Sequence, residues 1–245
     1  MAFNIWANSR DVPGVVCSDA RLTDRSRTQW PWADRPITTR DQLYGQAGWD
    51  IGINFLSLHN LASQLGSLSI PDELPQAGRT VRRGEIQRLA IHAHGSSGTI
   101  FINGQGEGRA NLTARTVSSF HSDLNQIGLM TSNSETNRAV ILFVGCLAGG
   151  GQSGTDLLLE LSRIWPQRKV VAFASLGYAP GGEMYRSGDA CTEPGMRDTT
   201  AVFPGEADQT AGQNWGNLTT WPWASETSPR AKVALNQRII QGANL

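Results

Sequence analysis

The stretch AVILFVGCLAGGGQSGTDLLLELSRIWPQRKVVAFAS, residues 139–175, decides the fold. Residues 139–145 form an unbroken apolar run rich in β-branched and aromatic residues. Such a run is expected of a strand covered on both faces. It stops at Cys146, and glycines 149, 150, 151 and 154 follow. Residues 155–165 then carry apolar positions at helical spacing, with Pro166 just past the end. Residues 169–175 read as a second buried strand. Strand, helix and strand at this spacing make a βαβ unit, which implies a parallel sheet.

Working outward, residues 86–93 (IQRLAIHA) read as another buried strand, ending at His94-Gly95. Residues 98–104 suggest a short strand followed by a glycine-rich turn. Between 115 and 129, Val117, Phe120, Leu124 and Ile127 share one helical face. Nearer the N-terminus, residues 3–7 and 14–17 are short strand-like runs. Residues 50–65 predict a helix, with Ile51, Phe55, Leu58, Leu61 and Leu65 on one face, Asp50 as its cap and Gly66 as its stop. Ser228-Pro229 predicts the start of a last helix running to about residue 240. Two long stretches, about 18–48 and 179–228, lack sustained periodicity and read as irregular loops. The tetrapeptide WPWA occurs at 30–33 and again at 221–224. It reads as aromatic anchoring of two loops rather than as a structural repeat. The expectation is one α/β domain spanning residues 1–245, with a mainly parallel central sheet flanked by helices.

Composition narrows the function classes. Charged residues make up 17% of the 245, below the usual roughly 25%, and glycine is abundant at 27. Lys+Arg and Asp+Glu both total 21, so there is no basic excess of the kind a nucleic-acid binder carries. The three cysteines, Cys17, Cys146 and Cys191, leave one unpaired in any disulfide scheme. A reducing, cytoplasmic setting is the simpler expectation. No basic and apolar leader opens the sequence, and no apolar run reaches the roughly 20 residues that span a bilayer.

Reactive residues stand at two strand ends: His94 after one, Cys146 after the other. In a parallel α/β sheet, ligands bind beyond the carboxyl ends of the strands. If both strands lie in one sheet, an imidazole and a thiol meet at one edge, and Cys-His pairs supply an activated thiolate nucleophile. Cys146 also precedes a helix, whose N-terminus favours a nearby anion. Other chemistries fit less well. No Gly-Lys-Ser/Thr follows the glycines, so a P-loop is rejected. Neither Ser97 nor Ser153 lies in a Gly-x-Ser-x-Gly elbow. His92 and His94 alternate as on one strand face and could bind a metal. His59 and His121, however, lie in helical patterns, so no metal and no other cofactor is expected. His92 reads as a hydrogen-bonded neighbour, His121 as a solvated helix residue and Cys191 as a loop thiol.

With His94-Gly95 ending one buried strand and Cys146 ending a later one, residues 50–178 resemble the caspase-like (clan CD) cysteine peptidases. That group includes caspases, metacaspases, gingipains, clostripain and separase. In it a strand ends in His-Gly, a later strand ends in the nucleophilic Cys, and a helix and strand follow. The separation of His94 and Cys146, 146 − 94 = 52 positions, is close to the roughly 50 of caspases. The stretch FVGCLAGGGQSGTDLL is most similar to the bacterial members. Two departures stand out: the caspase pattern Gln-Ala-Cys-Arg-Gly is absent, and no Asp precedes the Cys as in clostripain.

The resemblance implies a caspase-like three-layer sandwich and a thiol protease, a hydrolase acting on a protein or peptide substrate. It assigns Cys146 as nucleophile, His94 as proton carrier, and the Gly95 and Cys146 backbone N–H groups as the oxyanion hole. It also implies cleavage after a basic residue. For the carboxylate of such a pocket, Asp189 and then Asp11 are the candidates, with Arg186 and Arg10 as their counterparts for an acidic substrate. A regulatory protein partner is compatible with this reading; nucleic acid and membrane are not expected partners. Two other classes stay open on the sequence: a catalytically silent caspase-like interaction module, and a small-molecule or anion binder using the glycine-rich turn.

Overall fold

The structure, a computed structural model, describes residues 2–9, 50–70, 72, 74–102, 111–145, 147–174, 226 and 231–245. Among them a seven-stranded sheet forms the centre. Its strands are β1 (Phe3–Ser9), β2 (Ile51–Phe55), β3 (Ile86–His92), β7 (Val140–Val144), β8 (Lys169–Phe173), β9 (Ala231–Leu235) and β10 (Arg238–Gln241), in the order β10-β9-β8-β7-β3-β1-β2. The run from β2 to β8 is parallel throughout, whereas β9 is antiparallel to β8 and β10 to β9. A second, small antiparallel sheet is built from β4 (His94–Ser96), β5 (Thr99–Phe101) and β6 (Leu112–Thr113). The helices are α1 (Leu58–Ser67), α2 (His121–Met130, entered through a 3-10 turn at Val117–Phe120) and α3 (Gly151–Ile164).

One apolar cluster joins the inward residues of all three helices to one face of the sheet, where Ile5, Ile91, Ile141 and Phe143 lie. Trp6, Ala90, Leu142 and Val171, on the alternate positions of the same strands, are equally buried. Burial on both faces explains why β7, and the segments 89–91 of β3 and 170–173 of β8, read as continuous apolar runs rather than as alternating ones. Trp165, at the end of α3, stacks on Phe143 at 6.1 Å and donates its indole N–H to the Leu124 carbonyl at 2.7 Å. That one side chain ties two helices to the central strand. The buried Arg168 guanidinium donates to the Gly128 carbonyl at 2.6 Å and to the Thr131 carbonyl at 3.1 Å. It thereby adds a donor to the Gly128 carbonyl, which also accepts the Thr131 N–H at 3.2 Å, and binds the C-terminus of α2 to the segment before β8.

Two expected helices are corrected. Residues 51–55 form β2, and the helix begins only at Leu58, capped by Ser57, whose Oγ accepts the Asn60 N–H at 3.1 Å. Ile51, Ile53 and Phe55 also alternate with period 2, so a helical i, i+4 spacing and a strand spacing coincide here. Pairing with β1 decides it. Gly66 lies inside α1 rather than stopping it. At the other end, the expected last helix is a hairpin, β9–β10. Asn236 and Gln237 take positive φ of 48° and 60°, the backbone of a type I′ two-residue turn. The helix after Cys146 is present but begins at Gly151, four residues before the expected start.

Candidate active site

β3 and β7 are parallel neighbours in register, with His92 opposite Val144. The Ala93 N–H continues the ladder by donating to the Val144 carbonyl at 3.1 Å. The two chains therefore leave the sheet side by side at its carboxyl edge. Just beyond, Gly145 lies against the segment 93–95. A β-carbon built on Gly145 would come 2.8 Å from the Ala93 carbonyl oxygen and 3.5 Å from the Gly95 nitrogen. Only a residue without a side chain permits that approach. Cys146 lies outside the described residues, but its neighbours Gly145 and Leu147 are described. Chain connectivity thus sets the thiol-bearing residue one peptide bond from the point where Gly145 meets Ala93 and Gly95.

His92 and His94 do not share one strand, contrary to expectation. Strand β3 ends at His92, and His94 begins the hairpin strand β4, opposite Phe101. Their environments differ accordingly. His94 is half-buried at the edge. His92 is buried, with its ring 5.8 Å from that of Trp6. Burial, assisted by repulsion from His94, pushes the His92 pKa down to about 3. His92 is therefore neutral through the physiological range.

The turn after Cys146 is held from several sides. Leu147 adopts φ +55°, the left-handed region that a branched side chain rarely enters. Backbone strain of this kind concentrates at functional sites. The Gly150 N–H donates to the Leu147 carbonyl at 2.7 Å, closing the turn, and the Gly149 N–H donates to Phe173 O at 2.9 Å, docking it on the end of β8. From the hairpin that carries His94, the Ser97 hydroxyl donates to the Gly150 carbonyl at 2.7 Å. Gly98, at φ +67°, packs so closely that a β-carbon there would lie 2.5 Å from the Ser153 β-carbon. On the other side, the Lys232 ammonium donates to the Gly151 carbonyl at 3.0 Å and to the Thr155 hydroxyl at 2.9 Å. The head of α3, whose first N–H groups have no intrahelical acceptors, is thus tied to the His94 hairpin on one side and to β9 on the other.

On the sequence, Ser97 is weighed only as an elbow nucleophile and rejected, and Lys232 is given no role. Lys232 had a signal: it is one of only two lysines, set in the apolar run AKVAL. Ser97, a small polar residue in a turn, had none. His59 pairs with Asp123 at 2.9 Å, and His121 accepts from the Asn125 amide at 3.0 Å. Both histidines lie on helices, as expected. Among the described residues, no three His, Cys, Asp or Glu side chains are grouped to hold a metal ion. Also among these residues, no helix is long and apolar enough to cross a membrane. Asp11, Asp189, Arg10, Arg186, Cys17, Cys191 and both WPWA segments lie outside the described residues.

Comparison of the chain with protein-family models, with curated proteins and with solved structures finds no match in any of the three.

Proposed function

We propose that the chain is a cysteine endopeptidase of caspase-like architecture, acting through Cys146 and His94. The observation that carries this reading is the contact of Gly145 with Ala93 and Gly95, which brings the ends of β3 and β7 together. The three-layer sandwich belongs to the same proposal, supported by the burial of both sheet faces. So does a reducing, intracellular setting, in which a catalytic thiol stays free.

The chemistry follows from the groups at the edge. The Cys146 thiolate, its proton taken by His94, attacks the scissile carbonyl carbon and forms a C–S bond. The carbonyl oxygen becomes an oxyanion, held by the Gly95 and Cys146 N–H groups. The intermediate collapses, the C–N bond breaks, and His94 returns its proton to the leaving amine. The thioester on Cys146 is then attacked by a water that gives a proton to His94. The C–S bond breaks, the acid product leaves, and the proton on His94 returns to the Cys146 sulfur. The neutral His92 lies beneath this edge and takes no proton at any step.

Cleavage is expected after a basic residue. A buried cationic side chain needs a carboxylate partner. Asp189 is the first candidate, because its loop follows β8 at the same sheet edge, and Asp11, which follows β1, is the second. The test is to profile a peptide library with the wild type, Cys146→Ala and His94→Ala. Hydrolysis in the wild type alone supports the dyad, and full activity in either variant overturns it. Hydrolysis should also be lost with iodoacetamide and survive chelators. Fluorogenic peptides ending in Arg or Asp, run on Asp189→Ala and Asp11→Ala, identify the pocket. Efficient cleavage after Asp by the wild type would point to Arg186 or Arg10 instead.

A further inference from the structure

Among the described residues, five that are not glycine take a positive φ: Gln76, Leu147, Gln167, Asn236 and Gln237. Four carry polar amides. Leu147, at +55°, is the one apolar residue of the set. A β-carbon in the left-handed region crowds the following carbonyl oxygen, a cost that glycine escapes. Glycine at 147 would also keep the bonds that hold the turn, because they are main-chain bonds. The Gly150 N–H donates to the Leu147 carbonyl at 2.7 Å, and the Gly149 N–H donates to Phe173 O at 2.9 Å. Burial does not account for the leucine either. Leu147 is half-exposed, whereas Ala148 beside it is fully buried. A half-exposed leucine recovers only part of the transfer free energy of a core leucine.

The turn is joined to the hairpin segment 93–97 on both sides of Leu147. Before it, Gly145 lies against Ala93 and Gly95. After it, the Ser97 hydroxyl donates to the Gly150 carbonyl at 2.7 Å, and a β-carbon built on Gly151 would lie 3.7 Å from Ser97 Oγ. The hairpin has no side chain at Gly95 and only hydroxymethyl groups at Ser96 and Ser97. Across residues 94–98 and 147–151, Leu147 is the one apolar side chain longer than alanine, and it reaches the surface. The backbone is thus held in a costly conformation from outside, while the side chain it carries is left partly uncovered. Strain of this kind, kept in place by its surroundings, is a pointer to function.

We propose that Leu147 is a specificity-determining residue, whose isobutyl group meets an aliphatic side chain of the peptide next to the scissile bond. This rests on the reading of the sheet edge as a peptidase site, and it narrows the substrate class. The preferred peptide carries a bulky aliphatic residue flanking the cut, at a position other than that of the basic residue. Because the turn is already fixed, little ordering accompanies the contact, which favours binding.

The test begins with a positional-scanning peptide library, which finds the flanking position where the wild type prefers an aliphatic residue. Paired fluorogenic peptides with Leu or Ala at that position are then hydrolysed by the wild type, Leu147→Gly, Leu147→Ala and Leu147→Met, and each protein is melted. Leu147→Gly and Leu147→Ala should lose about tenfold in kcat/KM on the Leu peptide, the scale of a few carbons in an apolar subsite, and little on the Ala peptide. Leu147→Met, which conserves apolar volume, should keep most of the preference. The melting temperature of Leu147→Gly should not fall, since glycine releases the strain. Leu147→Ala removes the contact without the added freedom of glycine, and serves even where Leu147→Gly fails to fold. An unchanged Leu-over-Ala preference in either variant overturns the role. So does an equal loss on both peptides together with a lower melting temperature, which marks a packing residue. So does a wild type with no aliphatic preference at any flanking position. These three results leave the dyad standing. Absence of hydrolysis by the wild type, or full hydrolysis by Cys146→Ala, overturns the dyad and this role together.

Discussion

The Ser97 hydroxyl donates a 2.7 Å hydrogen bond to the Gly150 carbonyl, joining two segments 53 residues apart in the chain. One segment is the hairpin that begins at His94; the other is the turn 147–150. Both are short and glycine-rich, so their relative position depends on such contacts more than on intrinsic stiffness. Ser97→Ala should lower kcat about fivefold with KM little changed, the size expected for one hydrogen bond of about 1 kcal/mol. Ser97→Thr should recover most of the rate. Steady-state kinetics on one peptide substrate decide this; an equal loss in Ser97→Thr would contradict the role of the hydroxyl.

Gly145 makes a sharper prediction. A methyl at this position must displace the Ala93 carbonyl or the turn itself, since its β-carbon would lie 2.8 Å from that oxygen. Gly145→Ala should cost about 1–3 kcal/mol of stability, the range for overpacking. Hydrolysis should fall by about 100-fold, because displacements near 1 Å at a reacting centre act on that scale. Thermal melting and kcat/KM, measured on the same preparation, separate the two effects.

His92 predicts an acid limb in stability. Its folded pKa of about 3 lies below the ordinary value near 6.5, so the unfolded chain binds a proton that the folded chain refuses. Its contribution is complete above pH 6.5 and is lost as pH falls from 6.5 toward 3, at about 1.4 kcal/mol per pH unit within that window. Urea unfolding of the wild type and His92→Gln between pH 4 and pH 8 tests this. The difference between the two proteins should shrink steadily below pH 6.5; parallel stability curves would contradict the buried neutral imidazole. His92→Gln should also retain a hydrolytic rate well above that of His94→Ala.

Trp165 tests the frame rather than the site. Trp165→Ala removes the stack on Phe143 and the bond to Leu124 O, and should destabilise by about 3–5 kcal/mol. Trp165→Phe keeps most of the volume and should lose less. Cys146 alkylation in the folded fraction should be unaltered in both variants, because Trp165 lies at the far end of α3 from the turn 147–150.

The strands that build the site were legible because they are buried on both faces. β7 is apolar throughout, β3 and β8 are apolar over 89–91 and 170–173, and runs of that kind admit few other readings. Legibility failed where two periods coincide or where a turn lacks its usual residues. Ile51 and Phe55 fit a helix as well as a strand, and only the partner strand β1 decides between them. The hairpin β9–β10 turns on Asn236-Gln237, without the glycine that marks most type I′ turns, so its alternating residues read as a helix. The early start of α3 was hidden because glycine ranks low as a helix former, while tertiary packing overrides that preference. In the site, the order and direction of the strand ends could be read from the chain. The contacts of Ser97 and Lys232 could not, since both join residues more than 50 positions apart.

The account stands most directly on one measurement: mass-spectrometric mapping of the adduct left by an irreversible thiol-reactive peptide probe. The account predicts a single modified residue, Cys146, with labelling of Cys17 and Cys191 at background and labelling of Cys146 strongly slowed in His94→Ala. Equal labelling of all three cysteines, or labelling of Cys146 that does not depend on His94, would contradict it.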